Sequence, residues 1–402
     1  MAAKNYPLGL QIGNAELHSR VERITQAIAE KEAQAAIFFN TTSIFYLSHF
    51  YFIATERPAA LVVTREGKTT LFVPRLEEEH VGVVAHVGRA VSYPEYPSDI
   101  HPMLRFAVLL KEMGLERAHF LSDAPGYASS WGYAGPALAE VLPQARFSAI
   151  PKLVEGHRII KSQAEIALIR ESCKWGNLAH ELLQQYCAPG LSELEVEQQA
   201  SQEATRAMFD TYGRLYRPLG PVAVYAGFRG QVGANAALPH AVTINARMQP
   251  GDVLVTGAYS AIGGYVSELE RTMFVGEPGT EQRRLFDLMV LLQEVAFEAI
   301  RPGVPCSAVD QAVRAVYERE KLWPYWRHHV GHALGLLAHE APFFDIGDAT
   351  LIEPGMVFSV EPGLYVPGLG GYRHSDTVLV TETGLEMLTY YPRDLESLMI
   401  PL

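Results

Sequence analysis

The chain has 402 residues, which suits two or three domains at roughly 150 residues each. Hydrophobic residues make up 48% and charged residues 19%, a globular balance that excludes general disorder. Lys+Arg number 33 against 45 Asp+Glu, a net charge of -12; such an acidic surface repels phosphate, so sequence-independent nucleic-acid binding is not expected.

No run of about eighteen apolar residues occurs, so no membrane span is expected. Residues 1–10 lack a basic-then-apolar leader pattern. The cysteines, Cys173, Cys187 and Cys306, form no C-x-x-C pair and no disulfide framework, which points to a reducing, cytoplasmic setting. Cys173 reads as a core position rather than a nucleophile.

The first 150 or so residues alternate strands and helices. Asn14 is placed to cap a helix carrying Leu17, Val21, Ile24 and Ile28 at helical spacing. Residues 35–39 form a short apolar strand, and 61–63 and 70–73 a β-branched pair joined by a turn at 65–68. A strand is expected at 83–87, a helix at 103–113 and a strand at 119–121. An α/β domain over 1–155 follows from this order, with a second domain over 156–402. In the second, a helix spans about 163–186 and stops at Pro189-Gly190. Ser192 and Glu195 then have capping-box spacing at the start of the next helix. The arrangement recurs: a helix over about 281–300 stops at Pro302-Gly303, and Ser307 opens another with Asp310 three residues on. In each half two helices precede a Gly-rich β segment, which predicts an internal duplication of ααββ form.

Four segments carry the candidate chemistry. His240 follows Pro239 at the end of a run of small residues. Glu268 and Glu270 are two apart, so a strand would turn both to one face, where paired carboxylates need a cation, a metal or a shared proton. His328, His329, His332 and His339 bring four of the 14 histidines within twelve positions. Glycines interrupt them, so they belong to strand or loop and not to the helix of an H-E-x-x-H site. Glu361 precedes Pro362-Gly363 at the end of an apolar strand, and Arg373, in Arg373-His374-Ser375-Asp376, is a candidate clamp for a carboxylate.

Together these segments resemble the pita-bread hydrolase superfamily, which includes methionine aminopeptidase, aminopeptidase P, prolidase and creatinase. The resemblance covers most of the chain. It implies a creatinase-type α/β N-terminal domain and an α+β pita-bread domain with pseudo-symmetric halves. His240 matches the first motif histidine; His328, His332 and His339 match those of H-x-x-G-H-x-x-G-x-x-x-H-E; Glu361 matches the glutamate of E-P-G. Peptidases of this superfamily hold two metals with Asp, Asp, His, Glu and Glu. The matching positions here are Gly257 (or Thr256 with a one-residue shift), Glu268, His332, Glu361 and Ser375, so two of five ligands are absent.

Creatinase works without metal, and Gly264-Tyr265 with Leu269-Glu270-Arg271-Thr272-Met273-Phe274 is similar to its own pattern. That likeness implies Glu270 and Glu361 as carboxylates for a cationic group and His240 as the proton relay. Phe52, Glu56 and Arg57 lie where creatinase supplies residues to a neighbouring subunit, and His374-Ser375 departs from its Glu-His.

The leading expectation is therefore a hydrolase of a C–N bond in a small cationic or amidine-like substrate, without a dinuclear metal centre and with no cofactor. Its catalytic residues would be His240, Glu270, His339 and Glu361; His328, His332, Arg373 and Glu268 would bind substrate. One alternative is an Xaa-Pro peptidase with a single Mn, Co or Zn ion on Glu268, His332 and Glu361; another is a non-catalytic binding protein on the same fold. The resemblance also implies a homodimer.

Overall fold

A computed structural model describes residues 10–213, 216–219 and 223–402. It divides into two compact units: Ile12–His157, and Arg158–Leu402 together with Leu10 and Gln11. Of residues 1–10, read above for a leader pattern, only Leu10 lies among the described residues.

The N-terminal unit runs α1 (Asn14–Glu30), β1 (Ala35–Phe38), α2 (Thr41–Ser48), β2 (Ala60–Thr64), β3 (Thr69–Pro74), α3 (Glu78–Val84), β4 (Arg89–Tyr93), α4 (Pro102–Glu112), β5 (His119–Ser122), α5 (Leu138–Val141), β6 (Arg146–Ala149) and α6 (Leu153–Arg158). Its six-stranded sheet has the order β4-β3-β2-β1-β5-β6. β1 and β2 are buried along their whole length, which is why they read as unbroken apolar runs. Leu17, Ile24 and Ile28 on α1 are buried, while Val21 is only partly so.

Two expectations are corrected here. Gly13, not Asn14, is the N-cap of α1, and it makes no side-chain cap bond. Residues 83–87 form no strand; they are the end of α3 and the loop after it, and the edge strand is β4. A five-residue run, apolar apart from His86, is too short for periodicity to separate helix from strand.

The C-terminal unit continues with α7 (Gln163–Tyr186), α8 (Glu193–Tyr212), β7 (Val224–Gly227), β8 (Val253–Ile262), β9 (Tyr265–Val266), β10 (Leu269–Val275), α9 (Thr280–Ala299) and α10 (Cys306–Arg319). It ends with β11 (Gly331–Ala333), β12 (Glu340–Phe344), β13 (Val357–Val360), β14 (Gly363–Val366), β15 (Gly370–Arg373), β16 (Ser375–Thr381), β17 (Gly384–Met387) and β18 (Met399–Ile400). The main path of the large sheet is β12-β11-β13-β16-β10-β8-β7, with the β14-β15 hairpin separate. The two halves meet where β10 pairs antiparallel with β16.

Equivalent hydrogen bonds bear out the duplication. Gly190 N donates to Met248 O at 2.8 Å, and Gly303 N to Ile352 O at 2.8 Å. Met248 N returns to Leu191 O at 3.0 Å, and Ile352 N to Val304 O at 2.8 Å. Both glycines have positive φ, 87° and 83°; they lie in the turns beyond the extended caps Cys187 and Ile300, where only glycine takes such a φ at low cost.

The capping box at α8 forms as expected, with Ser192 N on Glu195 Oε2 at 2.7 Å and Glu195 N on Ser192 Oγ at 3.3 Å. Its counterpart does not. α10 begins at Cys306 with Pro305 as N-cap, and Asp310 pairs instead with Arg314 one turn on.

Candidate active site

The site lies on one face of the large sheet. Alternation along β10 and the residue before it turns Glu268 and Glu270 to this face and Leu269 and Arg271 to the other. Arg271 is fully buried there, 2.8 Å from Asp376. Its guanidinium also donates to the carbonyls of Ser375, Tyr391 and Pro392. That network fastens the centre of the sheet and leaves the opposite face for chemistry.

Cross-strand register decides what Glu270 meets. It stands opposite Gly257 on β8 and opposite Ser375 on β16. A Cβ on Gly257 would lie 3.6 Å from Glu270 Oε1, so the carboxylate fills the space in front of the glycine. Arg373 grips Glu270 through both oxygens: Nε meets Oε2, and a terminal nitrogen lies 2.7 Å from Oε1. The other terminal nitrogen donates to Tyr365 Oη at 2.8 Å, and Nε lies 3.8 Å from Glu361 Oε2. Both partners are buried, Arg373 at 3% and Glu270 at 7% exposure. Burial pushes the Glu270 carboxyl upward in pKa against the pull of Arg373, and Glu361 and Glu268 add to the rise.

His332 comes from β11, paired with Ser359 of β13. Its ring is fully buried, with Nδ1 facing Ala333 O at 3.2 Å. Nε2 lies 3.1 Å from Glu361 Oε1 and 3.9 Å from Glu268 Oε2, yet makes no aligned hydrogen bond. Burial opposes charging this ring, but Glu361 and Glu268 outweigh it and raise its pKa to about 9. Glu361 shows the reciprocal effect: burial would raise it, while His332 and Arg373 hold it below the usual carboxylate range. Glu268 Oε1 accepts from Ser375 Oγ at 2.8 Å and from Ser359 Oγ, and the two hydroxyls lie 2.7 Å apart.

His339 sits at the end of loop 334–339, which leads into β12, and stacks on His332. Burial and then His332 lower its pKa. His240 lies exposed on the turn after the short helix Gly233–Ala237, close enough for its charge to act on His339. His328 is held by Tyr365 Oη at 2.8 Å, and burial lowers its pKa to about 4.

The candidates therefore converge in part. Glu268, Glu270, Glu361, His332 and His339 meet, with oxygens of Glu268, Glu270 and Glu361 within 4.8 Å of one another. Glu270 and Arg373 were expected to hold a substrate cation and a substrate carboxylate; the structure instead makes each the other's partner. Arg57 is engaged within its own unit by Glu56 and Glu95.

Three further side chains take part whose roles the sequence does not mark: Ser359, Tyr365 and Gln231, which lies 3.5 Å from Arg373. Ser359 is two residues before Glu361, a strand spacing that could have flagged it. Nothing local marks Gln231. Cys173 is fully buried and its thiol is pushed up to about 12, as suits a core position.

A metal pair does not fit this residue set. Gly257 and Ser375 bring no carboxylate, and Arg373 occupies Glu270. A single divalent ion suits the set better: ligand atoms of Glu268, His332 and His339, and likewise of Glu268, Glu270 and Glu361, lie within 4.8 Å of one another, and His332 Nε2, 3.1 Å from Glu361, has no aligned partner.

Residues 167–382 match metallopeptidase family M24, and residues 20–171 match the creatinase/prolidase N-terminal domain. The chain belongs to metallopeptidase family M24. It is similar to an uncharacterised peptidase of Staphylococcus haemolyticus, 28% identical over 380 residues, covering 93% of this chain and 100% of that one. It is also similar to the solved Xaa-Pro dipeptidase from Bacillus anthracis, with 25% identity and a TM-score of 0.79 over 96% of this chain and 100% of that one. The solved prolidase from Pyrococcus horikoshii has 25% identity and a TM-score of 0.77, covering 94% and 99%. The fold is thus a creatinase-type N-terminal domain with a pita-bread domain, and the chain is a hydrolase of C–N peptide bonds. Among the described residues no helix is long and apolar enough to cross a membrane.

Proposed function

We propose that the protein is a peptidase for Xaa-Pro dipeptides or short Xaa-Pro peptides, working with one divalent ion on Glu268, His332 and Glu361. The observation that carries this reading is the buried His332 Nε2, set between Glu361 and Glu268 without an aligned hydrogen bond. The likeness to an Xaa-Pro dipeptidase over nearly the whole chain supports the choice of substrate. A bound ion would polarise the scissile carbonyl and make its water a better nucleophile. His339 takes at its imidazole nitrogen the proton lost by the attacking water and delivers it to the leaving nitrogen as the C–N bond breaks. His240, at the rim, and His328, oriented by Tyr365, position the peptide.

The amidine reading needs Glu270 and Glu361 open to a substrate cation. Arg373 takes both oxygens of Glu270 and lies near Glu361, so the protein's own guanidinium stands where that cation would bind. The creatinase-like, metal-free expectation therefore gives way to its alternative.

The test is hydrolysis of a panel of Xaa-Pro dipeptides by chelator-treated protein with and without added Mn²⁺ or Co²⁺, beside guanidino and amidine compounds. Ion-dependent proline release, lost in Glu268→Gln, is expected. Turnover of an amidine without ion would replace this reading with the creatinase-like one, and tight binding without turnover would make the protein a binding module. Sedimentation equilibrium tests the homodimer carried over from the resemblance.

A further inference from the structure

The carboxylate absent at position 257 has not simply vanished from the site. Glu270, directly opposite on the facing strand, sends its side chain into the space that a side chain on Gly257 would enter, with Oε1 3.6 Å from the Cβ such a side chain would have. The relocated carboxylate does not face the site freely, because Arg373 holds both of its oxygens. Position 375 contributes only a hydroxyl, and that hydroxyl is directed at Glu268 Oε1. We propose that Glu270 returns the missing carboxylate from the facing strand and uses it to hold Arg373 rather than an ion, so that the site takes one divalent cation and not two.

The charges agree. With His332 neutral, as ligation requires, the carboxylates of Glu268, Glu270 and Glu361 count three negative charges against one positive on Arg373, leaving two, which one divalent ion balances and two would exceed. Arg229 also approaches Glu270, at 3.5 Å, but its side chain is 48% exposed and its charge is screened by water. The geometry agrees as well. Arg373 is held on three sides by Glu270, Tyr365 and Gln231, and its planar fork matches the carboxylate with two parallel donors. Displacing it would leave a buried guanidinium and a buried carboxylate each to find a new partner. Glu361, 3.8 Å from this fixed cation on one side and 3.1 Å from His332 on the other, is the residue that couples the internal cation to the ion position.

This inference rests on the proposed peptidase reading only for the presence of an ion, and its test needs no turnover. Chelator-treated full-length protein is dialysed against graded Mn²⁺ or Co²⁺, and bound metal is measured by elemental analysis. Wild type is expected to saturate near one equivalent, and Glu268→Gln to weaken binding by at least about tenfold. Glu270→Gln is expected to retain near one equivalent. Because that variant strands Arg373, the double variant Glu270→Leu/Arg373→Met, which removes both charges, repeats the measurement in a site with no unpaired group.

A second equivalent in wild type would overturn the inference, as would no uptake at all. Loss of the single ion in the folded double variant would also overturn it, by making Glu270 a ligand. One equivalent without any Xaa-Pro cleavage would sink the substrate reading and leave this inference standing; two equivalents with cleavage would do the reverse.

Discussion

The imidazole of His339 stacks on that of His332, with ring centroids 3.7 Å apart and planes inclined by 21°. His332 is fully buried and locked in β11, so it serves as a fixed plate on which the more exposed His339 is oriented. A proton-transfer residue placed this way needs no ordering of its own when substrate arrives.

If His339 moves the proton, His339→Ala lowers kcat by on the order of a hundredfold or more. Metal uptake stays within about threefold of wild type, because Glu268, His332 and Glu361 remain. A parallel loss of kcat and bound metal would instead make His339 a ligand; steady-state kinetics beside elemental analysis separates the two.

The Glu270–Arg373 pair predicts an asymmetric response to mutation. Arg373→Met leaves Glu270 buried without its partner and should cost about 3–5 kcal/mol of stability. Glu270→Leu/Arg373→Met removes both charges and should recover most of that loss. Urea unfolding of the two variants checks this, and equal destabilisation by both would mean that packing, not charge, dominates.

Loop 334–339 has its own anchor. Glu340 accepts from Leu337 N at 2.9 Å and pairs with Arg158, and Lys161 Nζ lies 3.8 Å away. Glu340→Ala releases the loop that carries His339 and strands two buried cations. A kcat at least about tenfold lower, with metal uptake unchanged, is expected, since small displacements of a positioned group cost rate steeply. Wild-type kcat in this variant would remove Glu340 from that role.

Two histidines on the helix side of the sheet set a pH dependence. His180 and His374 are fully buried, and burial, then Arg271, lowers both; His180 falls from 6.5 to about 3. Unfolded, these rings take up protons below about 6.5, while folded they do not, so the unfolded state binds more protons and stability drops as the pH is lowered. The loss begins near pH 6.5, grows by at most about 1.4 kcal/mol per pH unit for each ring, and for His180 ends near pH 3. Melting temperatures between pH 7 and 5 should fall less steeply in His180→Gln, whose side chain cannot charge. An unchanged slope would assign the acid sensitivity to other groups.

Much of this molecule is legible along the chain. Helical periodicity and the Pro189-Gly190 and Pro302-Gly303 stops place α7 to α10 within a residue or so, because burying one helix face imposes a repeat that the sequence must carry. The motif residues Glu268, His332, His339 and Glu361 are recognisable from spacing, since strands and tight turns fix which neighbours share a face. Where the local signal was ambiguous, as at residues 83–87 or at Ser307 and Asp310, the chain took the alternative that tertiary partners favoured.

What the sequence alone determined is the fold and the duplicated architecture, and, through the family resemblance, that neither Gly257 (or Thr256) nor Ser375 is the carboxylate expected of a two-metal site. What only the tertiary structure decided is the meaning of that loss. Register across β8, β10 and β16 is set by packing over the whole sheet, not by residues near Glu270. That register turns Glu270 toward Gly257 and brings Arg373, 103 residues away in the chain, onto both of its oxygens. A carboxylate that reads in the sequence as open to a ligand is, in the folded protein, already bound to one of its own.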